Sequence, residues 1–346
     1  MSKNILLFHI AGLGDFVESL PVIKAIKESY KEYNIFLVVA DKVYDYAKKF
    51  DFVNKIYSWP TSKGHSFTLF GLFYYLKVLF ELKKYKFEIF VNFHEIGSEK
   101  GALLLKFIIN FLKPKKSIGR NTNGLGEFFD IKIADDYCMK KSQYEFYWEI
   151  VKSLGVKSLP EENVLYGQEL QFKIEIDLNK NFVGFGIGSD RNTRLWKIDN
   201  YTKVLKYLVS KDYIVFLFGT YKHYFLAKEI VEKLKGDKII NLCGKTSVAE
   251  LVSLIKKCKF VISVNSAVMH ISSNLGIPTV GLIGPGNPYR DKPYHKDQTK
   301  LILLWKDVGC NPCYYYECPL KTDKRKCMNS ISAEEVIEKV RVFETL

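Results

Sequence analysis

The sequence predicts an α/β protein made of two consecutive, doubly wound parallel-sheet domains. Its 346 residues exceed the roughly 250–300 at which a single core stops growing. Short β-branched and aromatic runs alternate with longer segments of helical spacing, the signature of parallel strands joined by crossover helices. That alternation lapses once, between Gly155 and Asn181, where Pro160, Gly167 and several charges replace any sustained period, and then restarts. The expected domains are therefore 1–165 and 166–346, with a linker around their junction.

Taken in order, the strand runs of the first half are Asn4–Ile10, Asn34–Ala40, Lys55–Trp59, Phe87–Phe93 and Lys116–Gly119. Those of the second are Phe182–Ile187, Tyr213–Gly219, Lys238–Cys243, Lys259–Val264 and Ile277–Ile283. Near the end, Ser332-Ala-Glu-Glu335 has capping-box spacing ahead of Val336, Ile337 and Val340, so a closing helix starts near Ser332. Open sheets of this kind bind ligands outside the carboxyl ends of their strands, which directs attention to the loops that follow them.

Composition narrows the class. Hydrophobic residues at 47% and charged residues at 26% suit folded, soluble domains rather than disorder. The 52 Lys and Arg outnumber the 38 Asp and Glu, an excess that favours anionic partners or is simply a lysine-rich habit. Ile5–Ile10 is too short and too weakly flanked for a secretory leader. The apolar stretch Phe67–Leu82 is broken by Lys77 and Glu81 and falls short of a membrane span. Seven cysteines without an export signal predict reduced thiols and a cytoplasmic protein. No nucleic-acid-binding motif accompanies the positive charge, so no nucleic-acid partner is expected.

The first strand runs into Ala11-Gly12-Leu13-Gly14-Asp15-Phe16, after which Val17, Leu20, Ile23 and Ile26 repeat at helical spacing. A dinucleotide fingerprint would need a third glycine where Val17 stands. Asp15 thus reads either as a helix cap or as a reactive carboxylate at a strand-to-helix turn. In the second half, Lys259–Val264 leads into Asn265-Ser266-Ala267-Val268-Met269-His270 and a helix ending at Gly276-Ile277-Pro278. A helix beginning near Ser266 would offer free N–H groups to a diphosphate. His270 reads equally as a packing residue or as one that orients a ligand.

Gly12-Leu13-Gly14-Asp15 with Leu20-Pro21, and Asn265 through Thr279-Val280-Gly281-Leu282-Ile283-Gly284-Pro285, resemble the two diagnostic segments of glycosyltransferase family 9, the lipopolysaccharide heptosyltransferases. The resemblance implies a GT-B fold, two Rossmann-like domains facing across a cleft, with an N-terminal acceptor domain and a C-terminal donor domain. It implies an inverting glycosyltransferase that moves a sugar, heptose from ADP-heptose in the first instance, to a lipopolysaccharide or lipooligosaccharide core acceptor. Asp15 would be the general base; a carboxylate of ordinary pKa near ~3.9 is ionised at neutral pH and can take the acceptor hydroxyl's proton. Arg194, in Gly186-Ile-Gly188-Ser189 … Arg194-Leu195-Trp196-Lys197, occupies a family lysine position and would hold the leaving diphosphate. Gly14, Ser189, Gly244, Asn265, Ser266, Ala267 and His270 complete the implied donor site.

Four positions depart from the family pattern: Asn265 for Asp, Ala267 for Gly, Lys197 for Pro, and His223 near a donor-binding Glu. These departures leave room for a different donor, for a protein (adhesin) acceptor, or for a nucleotide-sugar-binding protein without activity. No cofactor is expected for catalysis. Cys310, Cys313, Cys318 and Cys327, separated by two, four and eight residues, have the compactness of a structural zinc or iron site, and similar tails occur in the family. Phe67–Phe87 and Leu103–Lys116 interleave apolar residues with lysines, as do segments that lie on the anionic inner face of a membrane, although solvated core helices have the same look.

Overall fold

Two six-stranded, all-parallel sheets carry the chain, one in each half. The computed structural model describes residues 3–61, 69–136, 139–161, 163–170, 181–234 and 236–345. The chain divides into two units, Met1–Val164 and Leu165–Leu346.

In the first unit the strands are β1 (Lys3–His9), β2 (Tyr33–Ala40), β3 (Lys55–Trp59), β4 (Ile89–Asn92), β5 (Lys116–Thr122) and β6 (Ile131–Asp135), in spatial order β3-β2-β1-β4-β5-β6. Its helices are α1 (Leu13–Ser29), α2 (Tyr44–Ala47), α3 (Leu69–Lys83), α4 (Glu99–Leu112) and α5 (Gln143–Lys152). The second unit repeats the plan with β7 (Phe182–Gly186), β8 (Ile214–Phe218), β9 (Ile239–Asn241), β10 (Cys258–Val264), β11 (Thr279–Leu282) and β12 (Leu301–Leu304), ordered β12-β11-β10-β7-β8-β9. Its helices are α6 (Ile198–Ser210), α7 (Tyr224–Leu234), α8 (Val248–Lys256), α9 (Ala267–Asn274), α10 (Lys326–Asn329) and α11 (Ala333–Glu344).

The central strands read as unbroken apolar runs because both sheet faces are covered: Ile5, Leu6 and Leu7 of β1, and Phe260, Val261 and Ile262 of β10, are wholly buried. In each sheet the chain starts at a central strand, builds outward on one side, then returns to build on the other. The strand order reverses between β1 and β4, and between β7 and β10, and these reversals are where ligands of such sheets bind.

The ten expected strands are present, and two more lie at sheet edges, β6 and β12. Both are four or five residues long; β6 alternates partly exposed and exposed positions until Asp135, and so lacks the apolar run that marks a buried strand. The strand expected to end at Gly119 continues through Arg120 to Thr122. Of the linker, residues 163–170 run without helix or strand along α8, with Gln168 N–H donating to the Ala249 carbonyl at 3.1 Å; residues 171–180 lie outside those described. The expected closing helix is α11, capped by Ser332, whose hydroxyl accepts from Glu335 N–H, and it buries Val336, Val340 and Phe343 in the second unit's core. The apolar stretch from Phe67 becomes α3 from Leu69 onward, residues 62–68 lying outside those described. Among the described residues, no helix is long and apolar enough to cross a membrane.

Candidate functional site

In the first unit the loop Ile10–Gly12 joins β1 to α1 at the point of strand reversal, and Gly14 and Asp15 lie in the first turn of α1. The helix cap is Gly12, and no side chain makes the capping bond. Asp15 is therefore not the N-cap. It remains partly exposed, in the turn where the helix dipole favours a negative charge.

Three rings beside Asp15 are neutral at neutral pH. His9, at the end of β1, is 1% exposed and packs against Phe16, Phe93 and Tyr147, with ring centroids 5.7–5.9 Å away. Burial lowers its pKa to about 4, overriding the pull of Asp15. Neither ring nitrogen finds a hydrogen-bond partner among the described residues. His94, beyond β4, is also held below its usual value, by burial first and by the Arg120 charge, against Glu95 and Asp15. Burial, with the charges of Asp15 and Glu18, pushes the Tyr147 hydroxyl well up. Asp15 is thus flanked by uncharged rings, with the Lys42 ammonium also near: a Cβ on Gly12 would lie 3.4 Å from Asp15 Oδ2 and 3.9 Å from Lys42 Nζ.

Beside them lies a cluster that the sequence reading missed. Arg120 of β5 is buried and clamps Asp135, at the end of β6, through Nε at 3.0 Å and Nη2 at 2.8 Å; Gln143 accepts from Nη1, and a Glu95 oxygen lies 3.7 Å from Nη2. Thr122 donates to the same Asp135 oxygen at 2.7 Å, and Phe146 stacks under the guanidinium at 4.2 Å. A charged residue inside a strand that is otherwise buried was the available signal, and it fell just beyond the strand end assigned at Gly119.

In the second unit the implied donor residues gather at the carboxyl edge. Ser189 follows β7, and its carbonyl receives a bond from His223 Nε2 at 3.0 Å while His223 Nδ1 accepts from Thr220 N–H at 3.1 Å. A Cβ on Gly188 would land 2.3 Å from that imidazole, so glycine is needed for the ring to seat there. His223 therefore ties the loop after β7 to the loop after β8. Gly244 has φ +72°, and a Cβ there would press on the Tyr221 backbone at 2.7 Å.

Arg194 sits in a short 3-10 turn and is mostly buried. Its Nη1 donates to the Asn265 carbonyl at 3.1 Å, and its Nη2 lies 3.8 Å from Asp291 Oδ2. Asn265 Nδ2 donates to the same Asp291 oxygen at 2.8 Å. Asp291 was not anticipated; it lies in the irregular segment between β11 and β12, where nothing in the residue pattern fixes which side chain turns inward. Ser266 caps α9 without a side-chain bond to it, its hydroxyl lying 3.2 Å from that of Ser263, and Ala267 begins the helix. His270 is buried one turn into α9.

All four tail cysteines line one cavity of about 130 Å³, together with Thr193, Pro285 and Arg325. Arg325 N–H donates to Cys318 Sγ at 3.3 Å. Among the described residues no three His, Cys, Asp or Glu side chains converge as a metal-ligand set. The tail also grips the turn that carries Arg194: Thr193 Oγ1 donates to the Tyr315 carbonyl at 2.8 Å, and Arg325 Nη1 donates to the Leu195 carbonyl at 3.0 Å.

Comparison with known proteins bears on the family and the fold. The sequence profile of glycosyltransferase family 9 (heptosyltransferase) matches residues 143–323. The chain is 26% identical over 345 residues to lipooligosaccharide heptosyltransferase 2 of Campylobacter jejuni serotype O:6, covering 96% of each. The ADP-heptose LPS heptosyltransferase II structure from E. coli superposes with a TM-score of 0.71 at 19% identity, over 98% of each chain. The iron-containing dodecameric glycosyltransferase TibC of enterotoxigenic E. coli H10407 follows at 0.60 and 14%, over 99% of this chain and 76% of that one. The structural likenesses establish the fold, two Rossmann-like domains of the GT-B class.

Proposed function

The chain belongs to glycosyltransferase family 9, and from that premise we infer that this glycosyltransferase moves heptose from ADP-heptose to the core of a lipopolysaccharide or lipooligosaccharide, with inversion at the anomeric carbon. The first unit takes the acceptor and the second the donor. The observation that carries the reading is Asp15: a partly exposed carboxylate in the first turn of α1, at the strand reversal, beside the neutral rings of His9, His94 and Tyr147. Flanked by these neutral rings and partly exposed, this carboxylate is the group placed to accept a proton.

The step follows from these parts. The acceptor hydroxyl gives its proton to Asp15 while its oxygen bonds to the anomeric carbon from the face opposite the diphosphate. The bond from that carbon to the diphosphate oxygen breaks, and its electron pair leaves with ADP. Arg194 and the first N–H groups of α9, with Ser266 and Ala267, receive the charge that develops there. Gly14, Ser189, Gly244, Asn265 and His270 shape the remaining donor contacts. Asp291 places a carboxylate against the amide of Asn265, and so supplies an acceptor group beside the position where the family has Asp.

Relatives named for lipooligosaccharide and lipopolysaccharide heptosyl transfer, and a neighbour named for ADP-heptose, support this choice of donor and acceptor. None of the steps needs a metal. The tail cysteines are read as a structural zinc or iron site, supported by four thiols on one cavity and an N–H group directed at Cys318; such an ion would brace the turn bearing Arg194.

The mechanism is tested with Asp15→Asn. Transfer from ADP-heptose should fall at least ~10²-fold, with donor affinity retained and β/α configuration at the new bond read by NMR on the wild-type product. A fall of only a few-fold, or a product that keeps the donor's configuration, refutes Asp15 as the base of an inverting reaction.

A further inference from the structure

The surface of the first unit carries a feature that sugar transfer itself does not use. The exposed stripe of α3 is not polar: Phe73 is 68% exposed, Leu76 39% and Phe80 59%, with Lys77, Lys83 and Lys84 exposed alongside. These positions recur every three to four residues, so they form one helical face. The neighbouring α4 does the same with Leu103, Leu104 and Phe107, and with Lys100 and Lys106. In a monomeric domain such stripes would ordinarily be charged.

The two faces are continuous. Phe80 of α3 meets Phe111 of α4 edge-on at 5.5 Å, and Phe111 stacks on Phe107 at 6.1 Å. Lys83 bridges them from the other side, donating to the Phe111 carbonyl with its ammonium 5.2 Å from the ring centre. Past the ends of these helices come Lys86, Lys113, Lys115 and Lys116, whereas the acids on them are Glu81 and Glu99. Exposed apolar patches mark an interaction surface, and the rim, where lysines outnumber acids even though Glu81 pairs Lys84 and Glu88 pairs Lys115, decides the partner. A layer that is apolar below and anionic above complements a face of Phe and Leu set among lysines.

We propose that the α3–α4 face of the first unit docks on an anionic bilayer, Phe73, Phe80, Leu103 and Phe107 entering the interface and Lys77 and Lys106 meeting lipid phosphates. The inference rests on the glycolipid reading of the acceptor only for its purpose. It also has a geometric consequence within this unit. Helix α4 begins at Glu99, four residues after Glu95, so Leu103 and Leu104 lie in its first two turns beyond the loop that carries His94. Docking by this face brings that loop toward the headgroups, where the core sugar of a glycolipid emerges.

The test is flotation of the full-length protein with vesicles of phosphatidylethanolamine and phosphatidylglycerol, and with vesicles of phosphatidylcholine alone, neither containing glycolipid. The wild type should float with the first and not with the second. Lys77→Glu with Lys106→Glu should lower binding by at least ~30-fold, on the order of one lipid-surface interaction per lysine lost. Phe80→Ser with Phe107→Ser should abolish it, while both variants keep wild-type rates on a water-soluble acceptor fragment. Equal binding to both vesicles, wild-type binding by both variants, or no binding at all overturns the proposal. So does a wild-type dimer in solution that Phe80→Ser with Phe107→Ser converts to monomer, since the face would then serve self-association. Loss of sugar transfer would tell against the enzymatic reading and leave the vesicle result standing.

Discussion

His9 shows how one residue serves the site and burdens the fold. Its ring is buried among Phe16, Phe93 and Tyr147 with both nitrogens unpartnered among the described residues, an arrangement that costs the fold the desolvation of a polar group. What the site gains is an uncharged neighbour for Asp15: protonated, His9 would pair with that carboxylate and blunt it as a base. The same burial makes stability depend on pH. The folded-state pKa of about 4 lies below the ordinary 6.5, so between those values the unfolded chain binds a proton that the folded chain refuses. This contribution is fully present above pH 6.5 and is lost as pH falls toward 4. His9→Phe should therefore flatten the decline across that window, and stabilise the protein at neutral pH by about 1 kcal/mol by removing two unpaired nitrogens. Urea unfolding at a series of pH values measures both; a slope unchanged by the substitution would mean that other groups set it.

At the scale of elements, the loops after β7 and β10 and the cysteine tail act as one assembly around Arg194. Thr193 and Leu195 on either side of it are held by the tail, Trp196 N–H donates to the Tyr201 hydroxyl at 3.1 Å, and the Trp196 indole donates to the Ile331 carbonyl at 2.9 Å. The guanidinium is therefore placed by its surroundings before a donor arrives, which is the condition for electrostatic stabilisation without reorganisation. If the thiols hold an ion, isolated protein should contain about one equivalent of zinc or iron by elemental analysis. Cys310→Ser with Cys313→Ser should then lose it and raise the KM for donor several-fold more than it lowers kcat. Protein isolated without metal, with thiols freely reactive, would refute the site. Much of this assembly was legible: the motif residues Ser189, Arg194, Gly244, Asn265 and Ser266 all follow strands whose apolar runs announce them. Asp291 and the Arg120–Asp135 pair were not, because their partners come from segments 26 and 15 residues away, and pairing at that range leaves no local period. The edge strands β6 and β12 escaped for a related reason, being too short to show one.

For the whole molecule, the repeated order of strands makes a prediction about where ligand energy goes. Each unit holds an apolar cluster of its own, with Phe8, Phe36, Phe90 and Ile108 in the first and Phe185, Tyr201, Phe260 and Val336 in the second. Two cores of this kind unfold as distinguishable cooperative units, so a ligand bound by one should protect that one. ADP carries the diphosphate that Arg194 and the start of α9 are read as holding, and lacks the sugar and the acceptor. At a concentration a hundredfold above its Kd it should stabilise its unit by about 2.7 kcal/mol, a fall of roughly a hundredfold in exchange through opening of that unit. Hydrogen exchange followed by mass spectrometry should then show slowing across β7, β10 and α9, little change in β1, β4 and α1, and loss of the effect in Arg194→Ala. Slowing confined to the peptides around Asp15 would exchange the roles assigned to the two units. Protection that survives Arg194→Ala intact would leave the donor unit in place and remove Arg194 as its diphosphate ligand.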